Sequence, residues 1–113
     1  MVKTKFTQTE IKKIAKILVQ LLAENKIAVD KIILYGSYAR GNPRDHSDVD
    51  IAVISPSFKG KKIIEIQEVL ATALSKYLSI IEPLGYSSDD FRTAEPETFL
   101  GEIKKSGKIL YAA

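Results

Sequence analysis

Two short stretches of this sequence hold the side chains best suited to chemistry: Tyr35-Gly36-Ser37-Tyr38-Ala39-Arg40-Gly41, and then Ser47-Asp48-Val49-Asp50-Ile51-Ala52-Val53. Taken alone, a Gly-Ser pair after a strand is a turn, and two aspartates can cap a loop and start a strand. Taken together they support a sharper reading. Strand side chains alternate with period two, so Asp48 and Asp50 project from one face and converge on one spot. Two carboxylates aimed at one point repel unless a cation lies between them, and hard oxygen ligands without His or Cys select magnesium or manganese. Gly36 and Ser37 end the neighbouring apolar run and offer backbone N–H groups and a hydroxyl to phosphate oxygens. An acid pair that binds metal beside a phosphate cradle implies phosphoryl or nucleotidyl transfer, in which catalysis is mostly positioning and charge neutralisation.

The elements that must position these groups follow from periodicity. Thr7 and Glu10 form a capping-box pattern ahead of Ile11, Ile14, Ala15, Leu18, Leu21 and Leu22, which predicts a helix from about Thr7 to Glu24 with Lys12, Lys13 and Lys16 on its outer face. Ile32 to Tyr35 reads as a buried strand, Ser37 to Arg40 as a turn or short helix, and residues 44–47 as a loop. Asp48 to Ser55 reads as a second buried strand, followed by a loop from Pro56 to Gly60. From Lys61, the spacing of Ile63, Ile66, Leu70, Ala73, Leu74 and Tyr77 predicts a second long helix. Ser79 to Tyr86 predicts a short strand in which Pro83 requires a sheet edge or a bulge. Ser87 to Glu95 reads as polar loop, Pro96 as the first residue of a last helix carrying Phe99, Leu100 and Ile103, and Ile109 to Tyr111 as a final strand. This order predicts an α/β (α+β) domain, a small mixed sheet flanked by helices.

The chain has 113 residues, a formal net charge of +3 and no cysteine. That length supports one hydrophobic core, so residues 1–113 read as a single domain, and any acceptor pocket must open at the surface or be completed by another protein. Without cysteine there is neither a disulfide framework nor a thiolate metal site. With no apolar run of membrane length and no signal pattern, the expected location is the cytoplasm, without a membrane partner. Residues 1–29 carry six Lys against two acids, a basic flank able to meet an anionic partner or to serve as a solvated helix face. No aromatic platform or recognition motif accompanies it, which argues against direct nucleic-acid binding.

Gly36-Ser37, ten intervening residues, then Asp48-x-Asp50, with Arg40-Gly41 and the apolar residues after Asp50, resembles the minimal nucleotidyltransferases of the DNA polymerase beta-like superfamily. The likeness extends over nearly the whole chain, including the closing Lys108 to Tyr111 segment. The resemblance implies a nucleotidyltransferase fold that binds a nucleoside triphosphate, usually ATP, with two magnesium ions. It implies transfer of a nucleoside monophosphate to an acceptor hydroxyl, and a role as the antitoxin of a pair whose toxin is a HEPN-domain protein modified on tyrosine. Gly36 and Ser37 then hold the triphosphate tail, with Arg40 close by, and Asp48 and Asp50 bind the metals. Glu82, in the strand after the second helix, is the expected third carboxylate, although the family often has aspartate there and this chain follows Glu82 with Pro83. Asp89 and Asp90 compete for that role. Arg40 and Arg44, close to the phosphate loop, could bind phosphate or the acceptor, His46 could shuttle a proton, and Tyr38 could pack on the nucleotide or on a partner. The alternative function is a non-catalytic, nucleotide-binding antitoxin that neutralises its partner by contact.

Overall fold

The computed structural model describes residues 5–113; Lys3, one of the six lysines of the basic flank, lies outside them. Helix α1 (Gln8–Glu24) starts as its sequence requires: the Thr7 hydroxyl accepts from the Glu10 N–H while the Glu10 carboxylate accepts from the Thr7 N–H. Ile11, Ala15, Leu18 and Leu22 are buried along one stripe, and Lys12, Lys13 and Lys16 face solvent. Strand β1 (Lys31–Tyr35) leads into the four-residue helix α2 (Ser37–Arg40), and a loop leads on to β2 (Val49–Ser55). After a short helical turn at Pro56–Phe58 come α3 (Ile63–Ala73), a further turn at Ser75–Tyr77, and β3 (Ile81–Ser87). Helices α4 (Ser88–Arg92) and α5 (Phe99–Ser106) precede β4 (Lys108–Ala112).

The four strands form one mixed sheet in the order β3-β2-β1-β4, with β2 and β3 parallel and the other pairs antiparallel. Because side chains alternate along each strand, the register divides the sheet into two faces. Ile32, Leu34, Ile51 and Val53 join α1 and α3 in the larger core. Ile33, Ala52 and Ile54 face the other way, onto Ile103 of α5, with Tyr35, Tyr86 and Phe91 packed beside them. That second face is only partly roofed. Its uncovered end is where Tyr35, Asp50 and Glu82 stand in a row across three strands.

Several elements differ from the sequence expectations. Ile63 belongs to the apolar period that predicts α3, yet it is 81% exposed while Ile66 and Leu70 are buried. The long helix expected to Tyr77 ends at Ala73 and continues only as a tight turn. Residues 88–92 are a helix rather than loop: the Ser87 hydroxyl accepts from the Asp90 N–H, and five residues are too few to show a period. Pro96 is not the start of α5; Thr98 caps it by accepting from the Gly101 N–H.

Pro83 sits in an edge strand with its pairing to β2 unbroken, opposite Ile51. The reason is visible in Gln67 of α3, whose amide nitrogen donates to Pro83 O at 3.1 Å and whose amide oxygen accepts from Gly85 N at 3.1 Å. These groups point out of the sheet, so the N–H that proline lacks is one β2 does not need. Gln67 thus makes the bonds that a fifth strand would make and blunts the edge. Gln67→Leu is expected to lower stability by about 1–3 kcal/mol, since it leaves the partly buried Gly85 N–H unpaired. Chemical denaturation measures this, and a midpoint equal to wild type would remove the edge-capping role.

Candidate active site

Asp50 and Glu82 are direct neighbours in the parallel β2–β3 register, and Tyr35 is the partner of Asp50 on the other side. Asp48 lies one residue before β2, exposed, while Val49 between the two aspartates is buried. Asp48, Val49 and Asp50 are thus exposed, buried and half-buried in turn, and the charge of Asp48 reaches Asp50. The acids act on one another. Burial, the charge of Glu82, a hydrogen bond shared with Glu82, and the charge of Asp48 push the Asp50 carboxyl up from 3.8 to about 6, against a smaller opposing pull from Arg40. Tyr35 is affected too: burial and then the Asp50 charge raise its hydroxyl far above the usual phenol range.

Gly36 closes the site from the β1 side. Its φ of 76° lies in the left-handed half of backbone space, and a Cβ added there would fall 2.2 Å from Asp50 Oδ2. Both facts require glycine: the backbone of the turn runs against the carboxylate with no room between. Ser37 begins α2 directly after it, and the α2 side chain Arg40 is exposed and close enough to lower the Asp50 carboxyl.

The donor chemistry of Asp48, Asp50 and Glu82 suits a hard divalent cation, which would neutralise the charge these acids force on one another. Among the described residues, no three His, Cys, Asp or Glu side chains form a ready-made metal group. The joined part is the Asp50–Glu82 pair, with Asp48 on the exposed loop end beside it.

The remaining sequence candidates divide clearly. Tyr38 is 1% exposed and its hydroxyl accepts from the Phe6 N–H at 3.1 Å, so it is a core residue and meets neither nucleotide nor partner. Asp89 and Asp90 lie beyond the far end of β3, about 15 Å or more along the strand from Glu82. Asp89 instead pairs with Arg92 at 2.9 Å and Lys59 at 3.5 Å, and Arg92 holds its carboxyl low. Of the three acids considered for the third carboxylate, Glu82 is the one that stands beside Asp50. Arg44 and His46 are exposed loop residues, His46 with a φ of 63°. Tyr35 was not singled out by sequence reasoning; period two from Ile33 marks its face, but only the register sets it beside Asp50.

A nucleotidyltransferase domain family matches residues 11–110. This chain belongs to that family. Two Methanocaldococcus jannaschii relatives, both named as candidate protein adenylyltransferases, are 34% identical over 73% of this chain and 79% of theirs, and 29% identical over 74% and 79%. Among solved structures, a candidate nucleotidyltransferase from Sulfolobus solfataricus shares the fold at a TM-score of 0.67 and 17% identity, over 93% of this chain and 83% of its own. A toxin–antitoxin structure with AMP-PNP matches at a TM-score of 0.58 and 25% identity, over 85% of this chain and 71% of that one. The nucleotidyltransferase family and the mixed sheet flanked by helices agree with what the Gly-Ser and Asp-x-Asp pattern implied. No helix among the described residues is long and apolar enough to cross a membrane.

Proposed function

We propose that this chain is a metal-dependent protein adenylyltransferase that moves AMP from ATP to a hydroxyl of a partner protein, and that it is the antitoxin of a toxin pair. The observation that carries the reading is the row Gly36, Asp50, Glu82, in which a glycine turn abuts an acid whose strand neighbour is a second acid. The names of the relatives support protein adenylylation, and the structural neighbour with AMP-PNP supports both an adenine nucleotide and a toxin partner.

In this reading Asp48, Asp50 and Glu82 hold magnesium or manganese, which supplies charge neutralisation at the α-phosphate. Gly36, Ser37 and Arg40 bind the β- and γ-phosphates through the hydroxyl, backbone N–H groups and guanidinium. Glu82 accepts the proton of the acceptor hydroxyl. The acceptor oxygen bonds to the α-phosphorus, the bond from that phosphorus to the β-phosphate's bridging oxygen breaks, and pyrophosphate leaves toward Gly36 and Ser37. The acceptor is a tyrosine of a HEPN-domain partner acting in the cytoplasm, reached across the open end of the sheet face.

The test incubates the protein with labelled ATP, magnesium and a HEPN-domain protein encoded beside it, then locates any mass increase of one AMP. Label on a partner tyrosine, lost with Asp48→Ala, supports the enzyme. A tight complex without label would show instead an antitoxin that acts by contact alone, and neither complex nor label would remove the partner.

A further inference from the structure

Next to the acidic row, between the end of β1, α2 and α5, lies a cleft of about 260 Å³ whose lining includes Tyr35, Gly36, Arg40, Phe99, Glu102 and Ser106. Phe99, one of the apolar residues the last helix carries, is 59% exposed on the first turn of α5, edge-on to Tyr35 with ring centroids 5.7 Å apart and an interplanar angle of 88°. A large apolar ring held in place by another ring yet left open to water suits a flat ligand. One turn further along α5 stands Glu102, whose Oε1 accepts from the Ser106 hydroxyl at 2.8 Å. A carboxylate accepts about four hydrogen bonds, so capacity remains for a donor entering the cleft.

Three features limit what that ligand is. Gly36 and Arg40 belong to both the phosphate turn and the cleft, so the two are continuous. Arg40 at the α2 side of the cleft attracts phosphate whereas Glu102 on α5 repels it, so the triphosphate tail belongs at the Arg40 side and the Glu102 side favours a neutral group that donates. Glu82 lies across Asp50 on β3, away from the cleft, so an acceptor activated by Glu82 approaches from the opposite side.

We infer that the cleft seats the nucleobase of the bound triphosphate, its face against Phe99 and the exocyclic amine of adenine donating to Glu102. The inference rests on the proposed nucleotide site and adds its base selectivity. Tyr35 stands one strand spacing, about 4.8 Å, from the strand of Asp50, within reach of a nucleoside joined to an α-phosphate there.

Calorimetric titrations with magnesium tripolyphosphate, magnesium ATP and magnesium ITP, whose base has an oxo group in place of the amine, test it on wild type, Phe99→Ala and Glu102→Ala. Wild type is expected to bind ATP more tightly than either other ligand. Phe99→Ala is expected to weaken ATP about tenfold and leave tripolyphosphate unchanged, as loss of one stacking surface does. Glu102→Ala, at an exposed helix position, should remove the preference for ATP over ITP. If tripolyphosphate binds and neither variant alters the ratios, the base seat is wrong and the phosphate site stands. If wild type binds none of the three, both fall.

Discussion

Asp50→Asn is expected to abolish nucleotidyl transfer while making the metal-free protein more stable at neutral pH. The first half follows from charge: an amide cannot serve as an anionic ligand, and losing several kcal/mol of charge stabilisation at the reacting phosphate costs about a thousandfold or more in rate. The second half follows from the raised carboxyl. In the unfolded chain Asp50 titrates near 3.8, whereas in the fold it holds its proton up to about 6. The folded state is therefore the stronger proton binder, so the contribution is fully present below the unfolded value and is lost as pH rises through 6. That difference is about 3 kcal/mol unscreened; at this half-open site solvent reduces it to about 1–2 kcal/mol. Thermal melts between pH 4 and 8 in chelator should show wild type gaining stability toward acid from this group, and the Asp50→Asn variant should lose that part of the profile. Magnesium should restore wild type at pH 7 and leave the variant unmoved. A variant less stable than wild type at pH 7 in chelator would mean that the acids are already compensated within the fold.

Gly36→Ala is expected to destabilise the protein by about 1–3 kcal/mol through its backbone conformation, and to cut transfer by about a hundredfold or more by displacing the reacting groups. The added methyl would lie 2.2 Å from Asp50 Oδ2, and the carboxylate, being the end of a side chain, is what gives way. Gly41 supplies the control, because it too has a positive φ, of 79°, but nothing lies within 4 Å of its missing Cβ. Gly41→Ala should therefore cost about 1 kcal/mol and leave transfer nearly intact. Melting temperatures and turnover measured on both variants separate strain from displacement. Equal losses of turnover in the two would show that backbone strain, and not contact with Asp50, explains the glycine.

Features whose physics is local were legible in the residues themselves. The Thr7–Glu10 capping box closes through bonds three residues apart, and α1 and β1 lie where the apolar spacing and the β-branched run predict them, although both are held by partners far along the chain. The alternation of exposed Asp48, buried Val49 and half-buried Asp50 is local too. Pro83 announced a sheet edge or a bulge because a missing N–H is a property of the residue, and the unbroken β2–β3 pairing decides for the edge. Which groups become neighbours across the sheet depends instead on how distant segments pack. Glu82 beside Asp50 and Tyr35 on its other flank depend on register, set by how whole strands bury their other face. Asp89 is kept from the site by the length of β3 that lies between them. The cleft at Phe99 and Glu102 exists because α5 crosses the sheet where it does, leaving the Phe99 ring exposed. Gln67 capping an edge sixteen residues away shows the same limit: a polar helix residue carries no sign of its partner until the helix and strand have packed.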